Sequence, residues 1–128
     1  MLADREFRAV LPAKDIARAK SFYAEKLNLH PVEVAADGSL MYKCLNSWFG
    51  VFPTQFAGTA QNTVGGWETD DLERDMRILR ANGVIFEEYD LPGLKTNNGI
   101  ANLGTELTSW FKDSEGNILY LLQVIGKE

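Results

Sequence analysis

The sequence predicts an α+β domain of two tandem βαβββ modules forming a curved mixed sheet around a cavity. Three observations carry that prediction. The order strand, helix, three strands occurs twice along the chain. Asp15-Ile16-Ala17-Arg18 and Asp71-Leu72-Glu73-Arg74 correspond at an offset of 56 positions (71 minus 15), and self-similarity at a fixed period marks a repeated supersecondary unit. The chain has 128 residues, which is room for one domain. In such a module the helix covers one sheet face. The other faces of two modules curl together around a concavity, which is where a small ligand would sit.

The first module is expected over about 5–54 and the second over about 62–126, with a polar linker at about 54–62 that contains Gly58. Residues 7–13 read as a strand with Pro12 near its end. Asp15 is placed to cap a helix of about 12 residues, on which Ile16, Ala19, Tyr23 and Leu27 recur at spacings of three and four. Asn28 marks its end. Strands are expected at 31–35, 39–45 and 48–53, with turns at Asp37-Gly38 and Asn46-Ser47. In the second half, 63–69 reads as a strand. Asp70 is assigned as cap of the second helix, with Glu73 at its N3 position. Leu72, Met76 and Leu79 form the apolar stripe, and Asn82-Gly83 ends the helix. Strands at 84–89, 106–112 and 117–125 follow. Glu115-Gly116-Asn117 turns into the last of them. The long connection 89–104 shows little regular structure and is expected to act at the site or at an interface.

Composition excludes several classes. Thirteen basic and eighteen acidic residues give a net charge of −5, the wrong sign for a phosphate-backbone binder. No window of 18 apolar residues exists to span a membrane. One cysteine, Cys44, forbids an internal disulfide. With no signal-peptide pattern at the start, it points to the cytoplasm. A single histidine, His30, excludes most zinc motifs.

On this pattern the chain resembles the vicinal oxygen chelate superfamily, which includes glyoxalase I, extradiol dioxygenases, and fosfomycin and bleomycin resistance proteins. The resemblance is carried by Val10-Leu11-Pro12 through Asp15-Ile16, Ser21-Phe22-Tyr23, Leu27-Asn28-Leu29, Asp70-Asp71-Leu72, Asn82-Gly83-Val84 and Trp110 through Ile118. It covers nearly the whole chain. It implies the glyoxalase/bleomycin resistance/dioxygenase fold and a homodimer. The superfamily's metal enzymes place ligands at four cavity-facing strand positions. These fall on Arg8, on Phe49 or Gly50, on Val64 and on Tyr120. Arginine offers no lone pair, and valine, phenylalanine and glycine offer no donor side chain. No metal ligand and no cofactor are therefore assigned.

The candidate ligand-binding set is Arg8, Tyr42, Trp48, Val64, Glu68, Trp110 and Tyr120. Arg8 reads either as a cavity guanidinium for a carboxylate or phosphate, or as an ion-pair partner of Glu68, Glu106 or another chain's carboxylate. Tyr120 shares a strand face with Ile118 and Leu122, as a cavity wall or a hydrogen-bond donor. Glu68 follows Val64 and Gly66 in alternation, at the cavity mouth or solvated at the strand end. By the same alternation Trp48 and Trp110 face the cavity or an interface, and Trp67 faces the helix. Tyr42 and Cys44 alternate with Leu40 on one strand face, where Cys44 reads as a small buried hydrophobe. His30 sits near a helix end with a positional role. The expected function is metal-independent binding of a small molecule in an aromatic-lined cavity. The alternative is an enzyme of the same superfamily, a lyase, isomerase or dioxygenase acting on a small oxygenated substrate, using Glu68 and Tyr120 as acid and base or a metal held elsewhere. A module that binds a peptide in its groove is a third class.

Overall fold

The computed structural model describes residues 1–126. After a short 3-10 turn at Leu2–Asp4, the first module is β1 (Ala9–Ala13), α1 (Ile16–Leu27), β2 (Glu33–Val34), β3 (Leu40–Cys44) and β4 (Ser47–Pro53). The second is β5 (Thr63–Glu68), α2 (Leu72–Ala81), a two-stranded hairpin β6 (Asp90–Leu91) and β7 (Leu94–Lys95), then β8 (Ala101–Asn102), β9 (Glu106–Lys112) and β10 (Ile118–Val124). The two four-stranded sheets have matching orders, β1-β4-β3-β2 and β5-β10-β9-β8. In each, the strand before the helix pairs in parallel with the last strand of its module. The fold is the two-module α+β architecture expected from the repeat.

Local chemistry explains most element boundaries. Asp15 has extended backbone and accepts the Arg18 amide at 3.0 Å, so its carboxylate satisfies an otherwise free N–H of the first turn. Asn28 ends α1 in the left-handed region (φ 57°). Pro12 is tolerated inside β1 because β1 is an edge strand, where a missing N–H costs no ladder bond. Gly83 follows α2 with φ +99°, a conformation in which a side chain is strained.

Four expectations are corrected. The cap of α2 is Asp71, which accepts the Arg74 amide at 3.1 Å. Asp70 lies one residue outside and pairs instead with the Arg74 guanidinium. Leu72, fully buried, is the first helical residue. The β3–β4 turn is Leu45-Asn46, with Leu45 at φ 55°, because Cys44 already pairs with Ser47. The expected strand at 31–35 shrinks to two residues. That at 84–89 is reduced to one bridge, Phe86 with Phe111. The reason for the last is visible in the ladder. Phe86 sits beside Phe111, Glu87 N–H donates to Trp110, and Ala101 then resumes opposite Thr108. Residues 88–100 are thus an excursion from a single edge strand. Far from irregular, they form the β6–β7 hairpin and a turn at Asn98-Gly99. Arg80 donates to the Asn98 carbonyl at 2.9 Å, and Glu88 accepts the Gly99 amide at 3.0 Å.

One hydrophobic cluster spans both modules. It includes Leu11, Tyr23, Leu40, Tyr42 and Val51 of the first, and Leu72, Met76, Phe111, Leu119 and Leu121 of the second. An aromatic file crosses the boundary. Tyr42 stacks on Phe49 (4.9 Å), Phe49 meets Trp67 edge-on (6.1 Å) and Trp67 stacks over Phe111 (6.4 Å). Polar ties run beside it: Tyr23 to Asp113, Arg18 to Glu115, Asn82 to the Lys26 carbonyl, and Asn117 to the Pro12 carbonyl.

The Tyr42 hydroxyl is buried with no hydrogen-bond partner among the described residues, and burial pushes its pKa up to about 12. An unpaired buried hydroxyl contributes nothing and loses its hydration. Tyr42→Phe is therefore expected to leave stability unchanged or raise it by up to about 1 kcal/mol, measured by urea unfolding. A loss of that size would show that the hydroxyl is paired in solution.

Candidate functional site: the open sheet faces

In each module one sheet face packs under the helix and the other is open. Side-chain alternation assigns the residues. In the first module Leu11, Tyr42, Phe49 and Val51 point into the helix-covered core. Trp48 has the opposite parity on β4 and carries two cations over its ring. The Arg8 guanidinium lies 4.7 Å from the centroid and the Lys43 amine 5.5 Å, geometries in which the ring's negative face attracts the charge. Arg8 also approaches Glu6 at 3.9 Å, with its side chain 48% exposed. Val10, on β1 just after Arg8, is 58% exposed.

In the second module the open face forms a concavity of about 550 Å³. Val64, Trp110, Tyr120, Thr108, Glu106 and Leu122 are among its lining residues. Tyr120 is held there by a glycine. A Cβ on Gly66 would come within 2.4 Å of the Tyr120 ring, so the ring lies directly on the β5 backbone. Tyr89, from the start of the edge-strand excursion, supports Trp110 edge-on at 5.5 Å. Burial, with Glu87 nearby, pushes the Tyr89 hydroxyl pKa up.

The structure therefore brings Val64, Trp110 and Tyr120 together in one concavity, and Arg8 and Trp48 together on the other module's face. The concavity's lining does not include Arg8 or Trp48. Tyr42 is on neither face. It is fully buried between Tyr23 and Phe49, because its parity on β3 is the helix-facing one. Glu68 departs from its expected company as well. The β5–β10 register shifts between Ile118 and Leu119, leaving Val64 as an extra residue between Thr63 and Gly65. The bulge lies before Gly65, and beyond it the alternation continues, with Gly66 opposite Tyr120 and Glu68 opposite Leu122. Glu68, at the exposed end of β5, borders a different cavity. Cys44 lines that same cavity, half-buried. Lys43 and Tyr89 were not singled out by sequence reasoning. Lys43 was legible as the neighbour of Trp48 across an expected hairpin. Tyr89 lay in a stretch with no periodicity to assign its direction.

The superfamily's metal positions can be tested on these residues. Arg8 lies on the open face over Trp48, Val64 and Tyr120 share the second concavity, and Phe49 points into the core, which leaves Gly50 as the fourth position. A guanidinium, an isopropyl group, a phenol and a backbone position without a side chain do not make a divalent-metal donor set. Among the described residues no group of three His, Cys, Asp or Glu side chains stands close enough to hold an ion. No described helix is long and apolar enough to cross a membrane.

Two repeated βαβββ modules, each with a parallel outer pair and an open concave face, define the fold of the glyoxalase/bleomycin resistance/dioxygenase proteins of the vicinal oxygen chelate superfamily. This chain has that fold. TnmS3, an antibiotic binding protein from Streptomyces sp. CB03234, superimposes with a TM-score of 0.67 at 21% identity, over 98% of this chain and 99% of that one. A lactoylglutathione lyase from Agrobacterium tumefaciens gives 0.66 at 17%, over 94% and 93%. A glyoxalase/bleomycin resistance protein/dioxygenase from Alicyclobacillus acidocaldarius gives 0.68 at 15%, over 96% and 93%. No protein-family model and no curated protein matches the chain.

Proposed function

We propose that the protein binds a small molecule without a metal, holding it by shape and stacking on the open face of the second module, and that the face is closed by a second copy of the chain. The observation that carries this reading is the concavity walled by Trp110, Tyr120 and Val64, in which Val64 and Tyr120 stand at positions where a metal enzyme would need donor side chains. Its size falls within the range of small-molecule sites, which are mostly apolar with a few polar groups. The likeness to an antibiotic binding protein supports a ligand rather than a reaction.

The homodimer is proposed on surface chemistry. Phe7, the chain neighbour of Arg8, is 91% exposed, and the guanidinium of Arg8 and the amine of Lys43 both lie over Trp48. The second module's concavity carries Glu106. Opposite charge and exposed apolar side chains suit one protomer's first module to its partner's second. Arg8 and Trp48 would then complete the wall, and the Arg8 guanidinium would favour a ligand with an anionic group. The enzyme reading keeps some support from the lyase neighbour. It would rest on Tyr120 as a proton donor, since Glu68 does not line this concavity.

Native mass spectrometry of the purified protein, followed by fluorescence titration with a panel of aromatic antibiotics, tests both parts. The expected result is a dimer free of stoichiometric metal, and at least one ligand whose affinity falls tenfold or more in Trp110→Ala, as loss of an aromatic anchor worth about 2 kcal/mol requires. One divalent ion per chain would sink the metal-free reading, and a monomer would sink the composite cavity.

A further inference from the structure

A second cavity lies on the other side of the sheets, between the modules. Its volume is about 590 Å³. Leu27, Leu29 and Cys44 come from the first module. Trp67, Phe111 and Leu121 come from the sheet of the second, and Ile78 and Leu79 of α2 close one side. The floor is thus apolar and partly aromatic. The rim is acidic, carrying Glu68, Asp70 and Asp75, and no lining residue is basic. Arg74 stands behind the rim and spans Asp70 at 2.8 Å and Asp75 at 3.0 Å. Glu68 has no ion-pair partner among the described residues. Three carboxylates facing one guanidinium leave the mouth negative. Low-dielectric walls concentrate such a field and select the sign of what enters.

We propose that this inter-module cavity is a second ligand site, specific for small organic cations with a ring body. The ring rests on Trp67, Leu79 and Leu121, and the ammonium group meets Glu68 and Asp70 at the mouth. The charge complementarity commits the occupant. An anion of the same shape is repelled at the rim, and a neutral one forgoes its attraction. This site shares no lining residue with the concavity of Val64, Trp110 and Tyr120, so it stands or falls separately from the proposed function.

Cys44, the single cysteine, lies in this cavity with its sulfur 3.5 Å from the Trp67 indole N–H, and so reports occupancy directly. The experiment follows alkylation of Cys44 by neutral iodoacetamide in the full chain, by intact mass, with 1-naphthylmethylammonium or 1-naphthylacetate added. The cation is expected to protect Cys44 and the anion to give no protection at the same concentration. Glu68→Gln should raise the half-protecting concentration of the cation about tenfold, the lower end of electrostatic focusing. Leu79→Trp, which fills the cavity, should abolish protection, while Trp110→Ala should retain it. Equal protection by cation and anion, no protection by either, or protection that disappears in Trp110→Ala overturns the proposal. Should Leu79→Trp fail to fold, the two probes on the wild type and Glu68→Gln still decide.

Discussion

Glu115→Gln is expected to lower native stability at pH 7 by about 3 kcal/mol and to flatten its acid dependence. Glu115 has a fully buried side chain that accepts five hydrogen bonds. Oε1 takes the Lys14 amide (2.9 Å), the Asp15 amide (3.0 Å) and Arg18 Nη2 (3.0 Å). Oε2 takes Arg18 Nε (2.7 Å) and Ser114 Oγ (2.9 Å). The bidentate Arg18 bond is the main cause, outweighing burial, of a carboxyl pKa lowered from 4.5 to about 2. The native pKa lies below the unfolded one. The stabilisation is therefore fully present above about pH 4.5 and is lost as pH falls towards 2. At about 1.4 kcal/mol per tenfold difference in proton affinity, this gives the figure above. Glutamine keeps the shape and loses the charge, so bonds to the guanidinium weaken. Glu88, whose carboxyl is also held below its ordinary value by Thr96 and the Gly99 amide, contributes equally to both proteins. The difference between their stability curves from pH 6 to pH 2.5, by urea unfolding, isolates Glu115. Parallel curves would remove the buried carboxylate from the account.

The same residue shows what the sequence could and could not disclose. Glu115 reads as part of a turn, Glu115-Gly116-Asn117, and the turn is there. Its bonding to the start of α1, a hundred positions away in the chain, leaves no local signature, because tertiary hydrogen bonds have no period. Elements with a period were legible: α1 from its three–four spacing and Asp15 cap, β9 and β10 from alternation, and the two modules from the repeat. Where two local signals competed, the repeat was the better guide. Asp15 aligns with Asp71, and Asp71 is the cap. The capping-box pattern favoured Asp70 because it weighs only the residue three positions on. In the candidate site, alternation placed Trp48, Trp110 and Tyr120 on the open faces and Trp67 in the core. Glu68 keeps the alternation, opposite Leu122 as Gly66 is opposite Tyr120, but it stands at the exposed end of β5 and borders the inter-module cavity. For Tyr42 the alternation itself was sound, since Leu40, Tyr42 and Cys44 share a face, but nothing local says which face the helix covers. The edge strand of the second module was hidden because an excursion of 13 residues (88–100) splits it between Phe86 and Ala101.

Asp113→Ala should cost more than any single change on the open faces, about 4 kcal/mol of unfolding free energy. Asp113 Oδ2 accepts the Tyr23 hydroxyl at 2.7 Å and the Asn117 amide side chain at 2.9 Å. Oδ1 accepts the backbone N–H groups of Glu115 (2.8 Å) and Asn117 (2.9 Å). Tyr23, Asp113 and Asn117 are all buried. Hydrogen bonds to a charged acceptor are worth about 1.5–3 kcal/mol, and a donor left unsatisfied in the interior costs about 1–3 kcal/mol more. Tyr23→Phe removes only one of the four donors and leaves the carboxylate three. It is expected to cost about 1–2 kcal/mol. The two changes break the same bond, so their effects should not add. A double-mutant cycle in urea is expected to give a coupling of about 1 kcal/mol or more. Strict additivity would mean that the Tyr23–Asp113 bond carries no weight. The position of this bond ties stability to the site. Tyr23 belongs to α1 of the first module and Asp113 to the β9–β10 turn of the second, beside the Arg18–Glu115 pair and the Asn117 bond to Pro12 at 3.0 Å. These three links fix one module against the other. That angle sets where Arg8 and Trp48 stand relative to Trp110 and Tyr120, and it shapes the inter-module cavity. Asp113→Asn keeps an acceptor for Tyr23 and should lose less stability than the alanine variant. Any ligand affinity it loses beyond that loss reports the change in angle rather than unfolding.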